Sequence, residues 1–578
     1  MRHGGRAVFE QLRANRVELV FQVPGESFLP LLDAFADGDG PRLVTGRQEG
    51  GVSMMAEAYG KLTGRPGIAL VTRGPGAANA CAGVHVARQD ETPMVLLVGD
   101  VERAQRHRDA FQEVDQERWF QPLAKAAFRV ECPDRLPEYV HRALHLASSG
   151  RAGPVVLALP EDVLAAPCPT PTLAPVRSAE LVPSAEQVAE LAGRIAAATR
   201  PVVIVGGGAW SQAAARALAA WAEAWELPVV AAFRCQDYLD NRHPCYVGDL
   251  NLAPDPELVQ AVRDADVVLV VGSRIDEITA GGFAILEAPA PRQRLLHAHP
   301  DPDVPGGVLQ AEYPLAAHPA PLLARLAATE PPAARPWSAR TRALRERWLR
   351  WSGRPDPAPG RIHPGEVVRW LCEQLGERAL LCHGAGNFSG WIHRYFRFSG
   401  YRSQLAPRSG SMGYALPAAI AAKLLHPERE VICWSGDGDF QMTLQEFGTA
   451  CANGLAVRVV LLDNGMYGTI RMHQERRFPD RVVGTELVNP DFAAWARAYG
   501  AYGARVASGD EFRDAFREAQ RSDGPALLHL LIDPEAITTR ESLSAIREAG
   551  RGRRREQEAA SSHPDRAGAG AADPEAGP

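Results

Sequence analysis

Short apolar runs alternate with longer amphipathic segments along most of this chain. The runs Pro154–Pro160, Pro201–Val205 and Val267–Val271 are apolar at every position, which is typical of strands buried on both faces of a parallel sheet. Strands that alternate with helices of about 10 to 15 residues predict parallel sheets with helices on both faces. The pattern therefore predicts an α/β fold of doubly wound parallel sheets.

Proline-rich joins divide this pattern into three segments. One join covers residues 166–175 and the second runs from 331 to 359. We expect an N-terminal domain over residues 1–165, a central domain over 180–330 and a C-terminal domain over 362–540. Residues 550–578 are mostly Arg, Glu, Ala, Gly and Pro, which predicts a disordered tail.

Composition narrows the class of protein. The chain has 578 residues, 46% of them hydrophobic, and a net charge of -6, which argues against a nucleic-acid partner. No apolar run approaches the roughly 20 residues that span a bilayer, and the first residues lead into a polar helix, so we expect a cytoplasmic protein without a membrane segment. The nine cysteines include no CxxC pair, which predicts reduced, buried thiols rather than zinc or disulfide sites.

The first candidate site lies where two predicted strands end. Residues 431–434 lead into Gly436, Asp437, Gly438 and Asp439, and residues 457–462 lead into Asp463 and Asn464. Neighbouring parallel strands would bring Asp437 and Asn464 to one edge of a sheet, where α/β proteins bind ligands. Their oxygens suit Mg²⁺, which commonly retains substrate phosphates among its ligands.

A plain structural interpretation of this segment stays open. Asp437 would then only cap the helix that follows an ordinary strand-to-helix turn. Thr443 and Glu446 have the spacing of a capping box at the next helix start.

The second candidate site is near the N-terminus. Glu49 follows the predicted strand 42–45 and opens an apolar helical stripe. A carboxylate in this position is either a cap stabilised by the helix dipole or a semi-buried acid–base group. Residues 74–79, which include Gly76, form a glycine-rich turn that would let a ligand approach the backbone, although many α/β turns have this composition.

Two loops before core helices complete the candidates. Met412 lies between Gly410 and Gly413 ahead of a predicted helix over 416–425, either as packing or as an apolar prop beneath a cofactor. The predicted strand 379–382 runs into a loop that could approach phosphates. This loop contains Ala385, Gly386 and Asn387.

Taken together, these residues resemble the thiamine-diphosphate-dependent enzymes, in the group of acetolactate synthases, benzoylformate and pyruvate decarboxylases and benzaldehyde lyase. The resemblance covers about residues 8–506, with three domains in the family's order. It rests on the Gly436–Gly438 motif followed by Asn464, together with Glu49 and the pair Gly410 and Met412. It implies a pyrimidine-binding domain, a central domain and a diphosphate-binding domain.

The resemblance also implies roles for single residues. Asp437 and Asn464 would bind Mg²⁺ through their side chains, and Met466 through its backbone carbonyl. Met412 would force the cofactor into a bent shape, and Glu49 would hydrogen-bond N1′ of its aminopyrimidine ring. The remaining cofactor contacts would come from Gly76, Ala385, Gly386, Asn387, Gly410, Gly436, Gly438 and Asp439.

In this family Glu49 and the metal site come from different subunits. The resemblance therefore implies a homodimer or homotetramer with active sites at the subunit interface.

Local matches favour acetolactate synthases. They lie at residues 110–113, 150–154 and 489–492, and the first makes Phe111 and Gln112 substrate candidates, with loop packing as the alternative. The implied function is a carboligase or lyase that decarboxylates a 2-oxo acid and adds the enamine to a second carbonyl. A 2-oxo acid decarboxylase, an aldehyde lyase and a non-catalytic cofactor-binding protein are the alternatives.

Several positions depart from acetolactate synthases. His473 stands where they carry a tryptophan that helps select the second substrate, and is a candidate for proton transfer or selectivity as well as for a structural role. Glu161 reverses the charge of a lysine, which would disfavour an anionic substrate. FAD remains an open second cofactor, because residues 206–208 resemble a nucleotide-binding turn whereas residues 297–301 lack the usual acidic strand end.

Overall fold

A computed structural model describes residues 2–561 of the chain. It contains three six-stranded sheets, and all of the strand pairs within them are parallel. Neighbouring residues along a strand pack on opposite faces of the sheet. In the first sheet, Phe21 and Leu96 belong to the hydrophobic cluster on one face, and Val20 and Val95 belong to the cluster on the other face. The predicted α/β fold with doubly wound parallel sheets is confirmed.

The N-terminal sheet has the strand order β2-β1-β3-β4-β6-β5. Its strands are β1 (Leu19–Gln22), β2 (Arg42–Thr45), β3 (Gly67–Val71), β4 (Met94–Asp100), β5 (Ala126–Arg129) and β6 (Pro154–Pro160). Its helices are α1 (Gly4–Ala14), α2 (Leu29–Ala34), α3 (Glu49–Thr63), α4 (Pro75–Asp90), α5 (Gln116–Phe120), α6 (Leu136–Ser148) and α7 (Glu161–Ala165). The order reverses between β1 and β3, which makes this point the expected ligand crevice.

The central sheet has the order β12-β11-β10-β7-β8-β9, with its reversal between β7 and β10. Its strands are β7 (Pro201–Val205), β8 (Val229–Ala231), β9 (Tyr246–Asp249), β10 (Val267–Val271), β11 (Arg294–His299) and β12 (Tyr313–Ala316). Its helices are α8 (Ala185–Ala196), α9 (Gln212–Trp225), α10 (Pro256–Arg263) and α11 (Pro319–Ala327). The second proline-rich join also contains a helix, α12 (Ser338–Trp351), which the sequence did not predict.

The C-terminal sheet repeats the topology of the first, in the order β14-β13-β15-β16-β18-β17. Its strands are β13 (Ala379–His383), β14 (Gln404–Leu405), β15 (Glu430–Gly436), β16 (Val457–Asp463), β17 (Tyr502–Val506) and β18 (Ala526–Leu531). Its helices are α13 (Pro364–Leu375), α14 (Phe388–Tyr395), α15 (Ala415–Leu425), α16 (Asp437–Gln441), α17 (Phe447–Ala452), α18 (Gly468–Arg477), α19 (Phe492–Ala498), α20 (Gly509–Gln520) and α21 (Leu543–Ser561).

Helix α21 corrects part of the predicted tail. Residues 550–561 are helical, where we expected disorder, because α21 docks on α18. Leu543 and Ile546 are buried there, and Arg547 pairs with the buried carboxylate of Glu475 at 2.9 Å. The rest of the predicted tail, residues 562–578, lies outside the described residues.

The first and third sheets share one core. Helix α3 packs on α15, and a single hydrophobic cluster contains Met55 and Tyr59 together with Leu416. Within this junction the Tyr414 hydroxyl donates to the buried Glu57 carboxylate at 2.6 Å, and Thr92 donates to its other oxygen at 2.7 Å. The polar groups buried between the two sheets are therefore paired with each other.

Composition predicted reduced, buried cysteines and no membrane-spanning segment, and the structure agrees with most of this. All nine cysteines are unpaired, and most are buried or half-buried, but Cys132 is exposed and the expectation of burial is wrong there. Within residues 2–561, no helix has the length and apolar character needed to cross a membrane.

Removing the Tyr414 hydroxyl should destabilise the junction. In Tyr414→Phe, one oxygen of the buried Glu57 carboxylate loses its partner, and we expect a loss of about 1–3 kcal/mol in the free energy of unfolding. Urea denaturation followed by circular dichroism measures this change. Tyr499→Phe is the matched control, because Tyr499 is 46% exposed and should change stability by less than about 0.5 kcal/mol. Equal losses in both variants would contradict the role of this hydrogen bond.

Candidate active site

A cavity of about 420 Å³ opens at the carboxyl end of the C-terminal sheet. It lies beside the reversal between β13 and β15, and its size is within the range of about 300–1,000 Å³ typical of small-molecule sites. The predicted residues in its wall are Ala385, Gly386, Asn387, Gly410, Met412, Gly436, Asp437, Gly438, Asp439, Asn464 and Met466. The fold thus brings together candidates that come from four separate stretches of sequence.

One corner of the cavity carries the oxygen ligands expected for a metal ion. Asp437 is buried at the start of α16, and its Oδ2 accepts hydrogen bonds from Gly465 N at 3.1 Å and Asn489 Nδ2 at 2.7 Å. Neither the Asn464 side chain nor the Met466 carbonyl forms a hydrogen bond within residues 2–561. A carboxylate, an amide oxygen and a free carbonyl are suitable ligands for Mg²⁺.

The charges in this corner also fit a cation. Burial raises the pKa of Asp437 and the neighbouring Asp463 carboxylate adds to this effect, although the bond from Asn489 opposes it. Asp463 has its own partner, because His529 Nε2 lies 2.8 Å from its Oδ2. Within residues 2–561, Asp437 forms no ion pair with a basic side chain, so a divalent cation would relieve its repulsion with Asp463. Among the described residues, no group of three or more His, Cys, Asp or Glu side chains could hold a metal, which leaves amide and carbonyl oxygens as the further ligands.

Asn489 and His529 are site residues that the sequence analysis missed. Asn489 stood in one of the matched motifs but had no assigned role. His529 carried no signal, because only the pairing of β16 with β18 places it beside Asp463.

Asp439 organises the loops around the cavity. Its Oδ1 accepts hydrogen bonds from Ala385 N at 3.1 Å and Gly413 N at 3.0 Å, and the Ser435 hydroxyl donates to its Oδ2. Burial raises the pKa of Asp439 to about 6, against the lowering effect of these three donors. Because the protein occupies both carboxylate oxygens, Asp439 positions the loops.

Glycine is required beside this carboxylate. A Cβ atom on Gly384 would lie 2.1 Å from the Asp439 Oδ2 atom, far inside van der Waals contact. The loop after β13 can therefore reach Asp439 only with glycine at this position.

Glu49 lies at the ligand crevice of the N-terminal sheet. It is the first residue of α3, and the helix cap is the preceding Gln48, whose side chain accepts from Gly51 N at 3.0 Å. Asn79 Nδ2 donates to Glu49 Oε2 at 2.9 Å, and a Cβ on Gly76 would lie 3.3 Å from Oε1. The half-buried carboxylate is therefore held by the glycine-rich turn, and it does not line the 420 Å³ cavity.

The predicted capping box at Thr443 and Glu446 is wrong. The Thr443 hydroxyl instead donates to the Gly413 carbonyl at 2.7 Å. The buried Glu446 carboxylate accepts from Gln48 N at 2.9 Å and Arg47 N at 3.1 Å, and so fixes the turn that carries Glu49. Local spacing could not reveal this contact, because 398 residues separate Glu446 from Gln48.

The predicted substrate residues lie in two different places: Phe111 and Gln112 are together, and His473 is elsewhere. Phe111 is 72% exposed, and Gln112 packs on Gly74, so both are on the Glu49 side of the chain. His473 is half-buried on α18, where burial and the nearby arginines lower its pKa, and it does not line the cavity although Ile470 does. Their roles toward a substrate stay predictions.

Comparisons with known proteins match all three parts of the chain. Residues 2–119 match the model for the thiamine pyrophosphate enzyme, N-terminal TPP binding domain, residues 188–326 the central domain, and residues 384–530 the C-terminal TPP binding domain. The acetolactate synthase large subunit of Corynebacterium glutamicum is 31% identical over 92% of this chain and 87% of its own length. This chain belongs to the thiamine-diphosphate-dependent enzymes.

Other relatives point to the same branch of the thiamine-diphosphate-dependent enzymes. The acetolactate synthase isozyme 2 large subunit of Escherichia coli is 32% identical over 92% of this chain and 96% of its own length. A probable acetolactate synthase large subunit of Methanocaldococcus jannaschii is 30% identical and covers 92% of both chains. The chain is thus an acetolactate-synthase-like enzyme that depends on thiamine diphosphate.

Gly384→Ala should weaken cofactor binding by displacing Asp439. Overpacking of this kind costs about 1–3 kcal/mol, which corresponds to a loss of roughly 5- to 150-fold in affinity for thiamine diphosphate. Quenching of tryptophan fluorescence on cofactor titration measures this affinity.

Gly193→Ala is the control for this variant, because Gly193 lies in α8 with no atom within 4 Å of the added Cβ. It should bind the cofactor like the parent. Unchanged affinity in Gly384→Ala would show that the loop can shift without Asp439.

Proposed function

We propose that this enzyme is a carboligase that decarboxylates a 2-oxo acid and joins the remaining fragment to a second carbonyl compound. The observation that carries this proposal is the single cavity that gathers Asp437, Asn464, Met466, Gly410 and Met412 in a chain similar to acetolactate synthases along 92% of its length. A 2-oxo acid decarboxylase and an aldehyde lyase use the same cofactor site, so they are the alternatives that the experiment must separate.

Asp437, Asn464 and the Met466 carbonyl are the proposed ligands of Mg²⁺. The ion would neutralise the Asp437 carboxylate and bind the diphosphate group of the cofactor. Asn489 would keep Asp437 oriented, since it bonds both Asp437 and Asp463 at 2.7 Å. Such supporting hydrogen bonds fix the direction in which a carboxylate points its free oxygen.

Glu49 is the proposed acid–base group. Asn79 orients its carboxylate, and Glu446 holds the backbone turn before it, so the carboxylate is presented in one direction. In this role the Glu49 carboxylate would hydrogen-bond the aminopyrimidine ring nitrogen and would hold or release the proton shared with it. Bound thiamine diphosphate supplies the electron sink that allows a 2-oxo acid to lose CO₂.

A second copy of the chain is the proposed source of Glu49 for each cavity. Glu49 does not line the cavity of its own chain, and apolar side chains around both sites are exposed. The exposed fractions are 72% for Phe111, 46% for Met442, 55% for Ile470 and 100% for Val488. A second copy of the chain would cover such exposed apolar side chains, which supports a homodimer or homotetramer.

Arg234 favours an acidic substrate. This buried guanidinium group lies in the cavity wall and donates to the carbonyls of Gly384 and Pro407. Its Nε has no partner, and no carboxylate within residues 2–561 pairs with it. Asp90 and Asp439 act on Arg234 only from a distance, and the carboxylate of a 2-oxo acid would give it a directly paired negative charge.

Product analysis with a Glu49→Gln control tests the function. The purified enzyme with thiamine diphosphate and Mg²⁺ is supplied with pyruvate and other 2-oxo acids, alone and with aldehydes, and CO₂ and carbon–carbon products are measured separately. We expect CO₂ together with a ligated product, and a loss of about 10²- to 10⁴-fold in both for Glu49→Gln, because the variant cannot share a proton with the cofactor ring.

Other outcomes identify the alternatives. CO₂ with only free aldehyde would indicate a decarboxylase, and ligation of aldehydes without CO₂ would indicate a lyase. Equal rates of hydrogen exchange at cofactor C2 in the parent and in Glu49→Gln would refute the role of Glu49.

If Asp437 binds Mg²⁺, cofactor affinity should no longer depend on Mg²⁺ in Asp437→Ala. In the parent, Mg²⁺ should strengthen thiamine diphosphate binding, and EDTA should reverse the effect. In the variant, the factor by which Mg²⁺ strengthens thiamine diphosphate binding should be more than about 100-fold smaller than in the parent. Loss of a residue that merely supports a metal ligand already costs about 10- to 100-fold in metal affinity. Isothermal titration with and without Mg²⁺ measures it. Asp33→Ala, at an exposed position on α2, should keep the parent's response, and a full Mg²⁺ effect in Asp437→Ala would exclude Asp437 as a ligand.

A further inference from the structure

The nucleotide crevice of the central sheet is closed by the protein itself. In a doubly wound sheet a dinucleotide binds at the reversal of strand order, here between β7 and β10, with its phosphates on the glycine turn after the first strand. That turn, Gly206–Gly208, lies against the turn after β10: a Cβ on Gly207 would be 1.6 Å from the Gly272 carbonyl oxygen. The Tyr238 hydroxyl also donates to the Gly207 carbonyl.

Glu91 fills the place of a phosphate in this crevice. It follows the last residue of α4 in the N-terminal part of the chain, with a left-handed φ of 57° that turns it toward the central sheet. Gly208 N donates to Glu91 Oε2 at 3.2 Å, and a Cβ on Gly208 would lie 2.1 Å from the Glu91 carbonyl oxygen. The glycine amide that would hold a phosphate is therefore bonded to a carboxylate of the same chain.

Basic side chains surround Glu91 as they would surround a phosphate. Arg151 Nε lies 3.2 Å and Arg274 Nε 3.9 Å from its Oε1, and His299 Nε2 lies 3.7 Å from its Oε2. Burial opposes the charge, but His299, Arg408 and Arg151 together lower the pKa of Glu91 to about 2. The carboxylate is thus ionised at neutral pH, although it is 2% exposed.

A cavity beside the glycine turn is too small for a nucleotide. The cavity beside Gly207 and Gly208 measures about 40 Å³, which is room for only a few water molecules. Ligand sites for cofactors usually measure about 300 Å³ or more.

We propose that Glu91 acts as a built-in anion that closes the nucleotide crevice of the central sheet, so that this enzyme does not bind FAD. The residues around the glycine turn do not fit a flavin dinucleotide, because its diphosphate would have to displace the Glu91 carboxylate and separate the two turns. The glycine turn instead joins the central sheet to the end of α4.

The first experiment measures flavin directly in the full-length protein. The enzyme is purified without added flavin, loaded with thiamine diphosphate and Mg²⁺, and its absorbance is recorded between about 350 and 500 nm after heat release of bound ligands. FAD is then titrated while its own fluorescence is followed. We expect no flavin band and no saturable quenching. A stoichiometric flavin, or saturable binding of added FAD, would overturn the proposal.

The second experiment tests whether Glu91 replaces a phosphate. In Glu91→Ala the basic side chains of Arg151, Arg274 and His299 lose their shared anion, so the variant should unfold at a lower temperature than the parent. Inorganic phosphate should then raise its Tm by several degrees more than sodium chloride of equal ionic strength. The parent, with its diphosphate site already filled by cofactor, should respond equally to both salts.

Controls keep this test decisive. Glu102→Ala removes an exposed acid from the same part of the chain and should behave like the parent. If Glu91→Ala does not fold, Glu91→Gln retains the side-chain volume and is tested in the same way. A folded Glu91 variant that responds equally to phosphate and chloride would refute the phosphate-like role of Glu91.

Discussion

The buried carboxylate of Asp439 forms the hydrogen bonds on which the shape of the 420 Å³ cavity depends. It binds backbone amides from the loop after β13 and from the loop before α15, and it also binds the end of β15 through Ser435. A buried carboxylate needs several donors to offset the loss of water, and this requirement draws the three segments together. Glycine is needed at position 384 for the same reason, because a side chain there would overlap the Asp439 carboxylate.

The two ends of α4 extend this organisation across the chain. Near its start, Gly76 and Asn79 hold Glu49. At its end, Asp90 accepts from Arg408 N at 2.8 Å and from Ser409 N at 3.1 Å, which fixes the loop that leads to Gly410. The next residue, Glu91, faces the central sheet. One helix and the residue after it therefore contact the Glu49 turn, the loop that leads to Gly410 and the glycine turn of the central sheet.

Strand positions were predictable because burial on both faces leaves a clear signal. The apolar runs Pro154–Pro160, Pro201–Val205 and Val267–Val271 became strands with unchanged bounds. Helices with weak or mixed patterns were less predictable. Helix α12 lies in a proline-rich join, and α21 continues into a charged segment because its stability comes from ion pairs and packing on α18. Those contacts are tertiary, so the local pattern could not predict them.

By itself, the sequence determined the α/β class, because strands buried on both faces leave a local apolar pattern. The ends of those strands and the family resemblance also predicted residues that line the 420 Å³ cavity. It left open how buried charges are paired. Only the tertiary structure decided that Glu446 fixes the Glu49 turn and does not cap a helix. It also placed His529 and Asn489 within hydrogen-bond distance of the Asp463 carboxylate. It placed Glu91 in the crevice of the central sheet. These pairings join residues far apart in the chain. A buried charge needs a polar or charged partner, and the fold determines which residue lies close enough to be that partner. Spacing along the sequence therefore cannot predict these pairs.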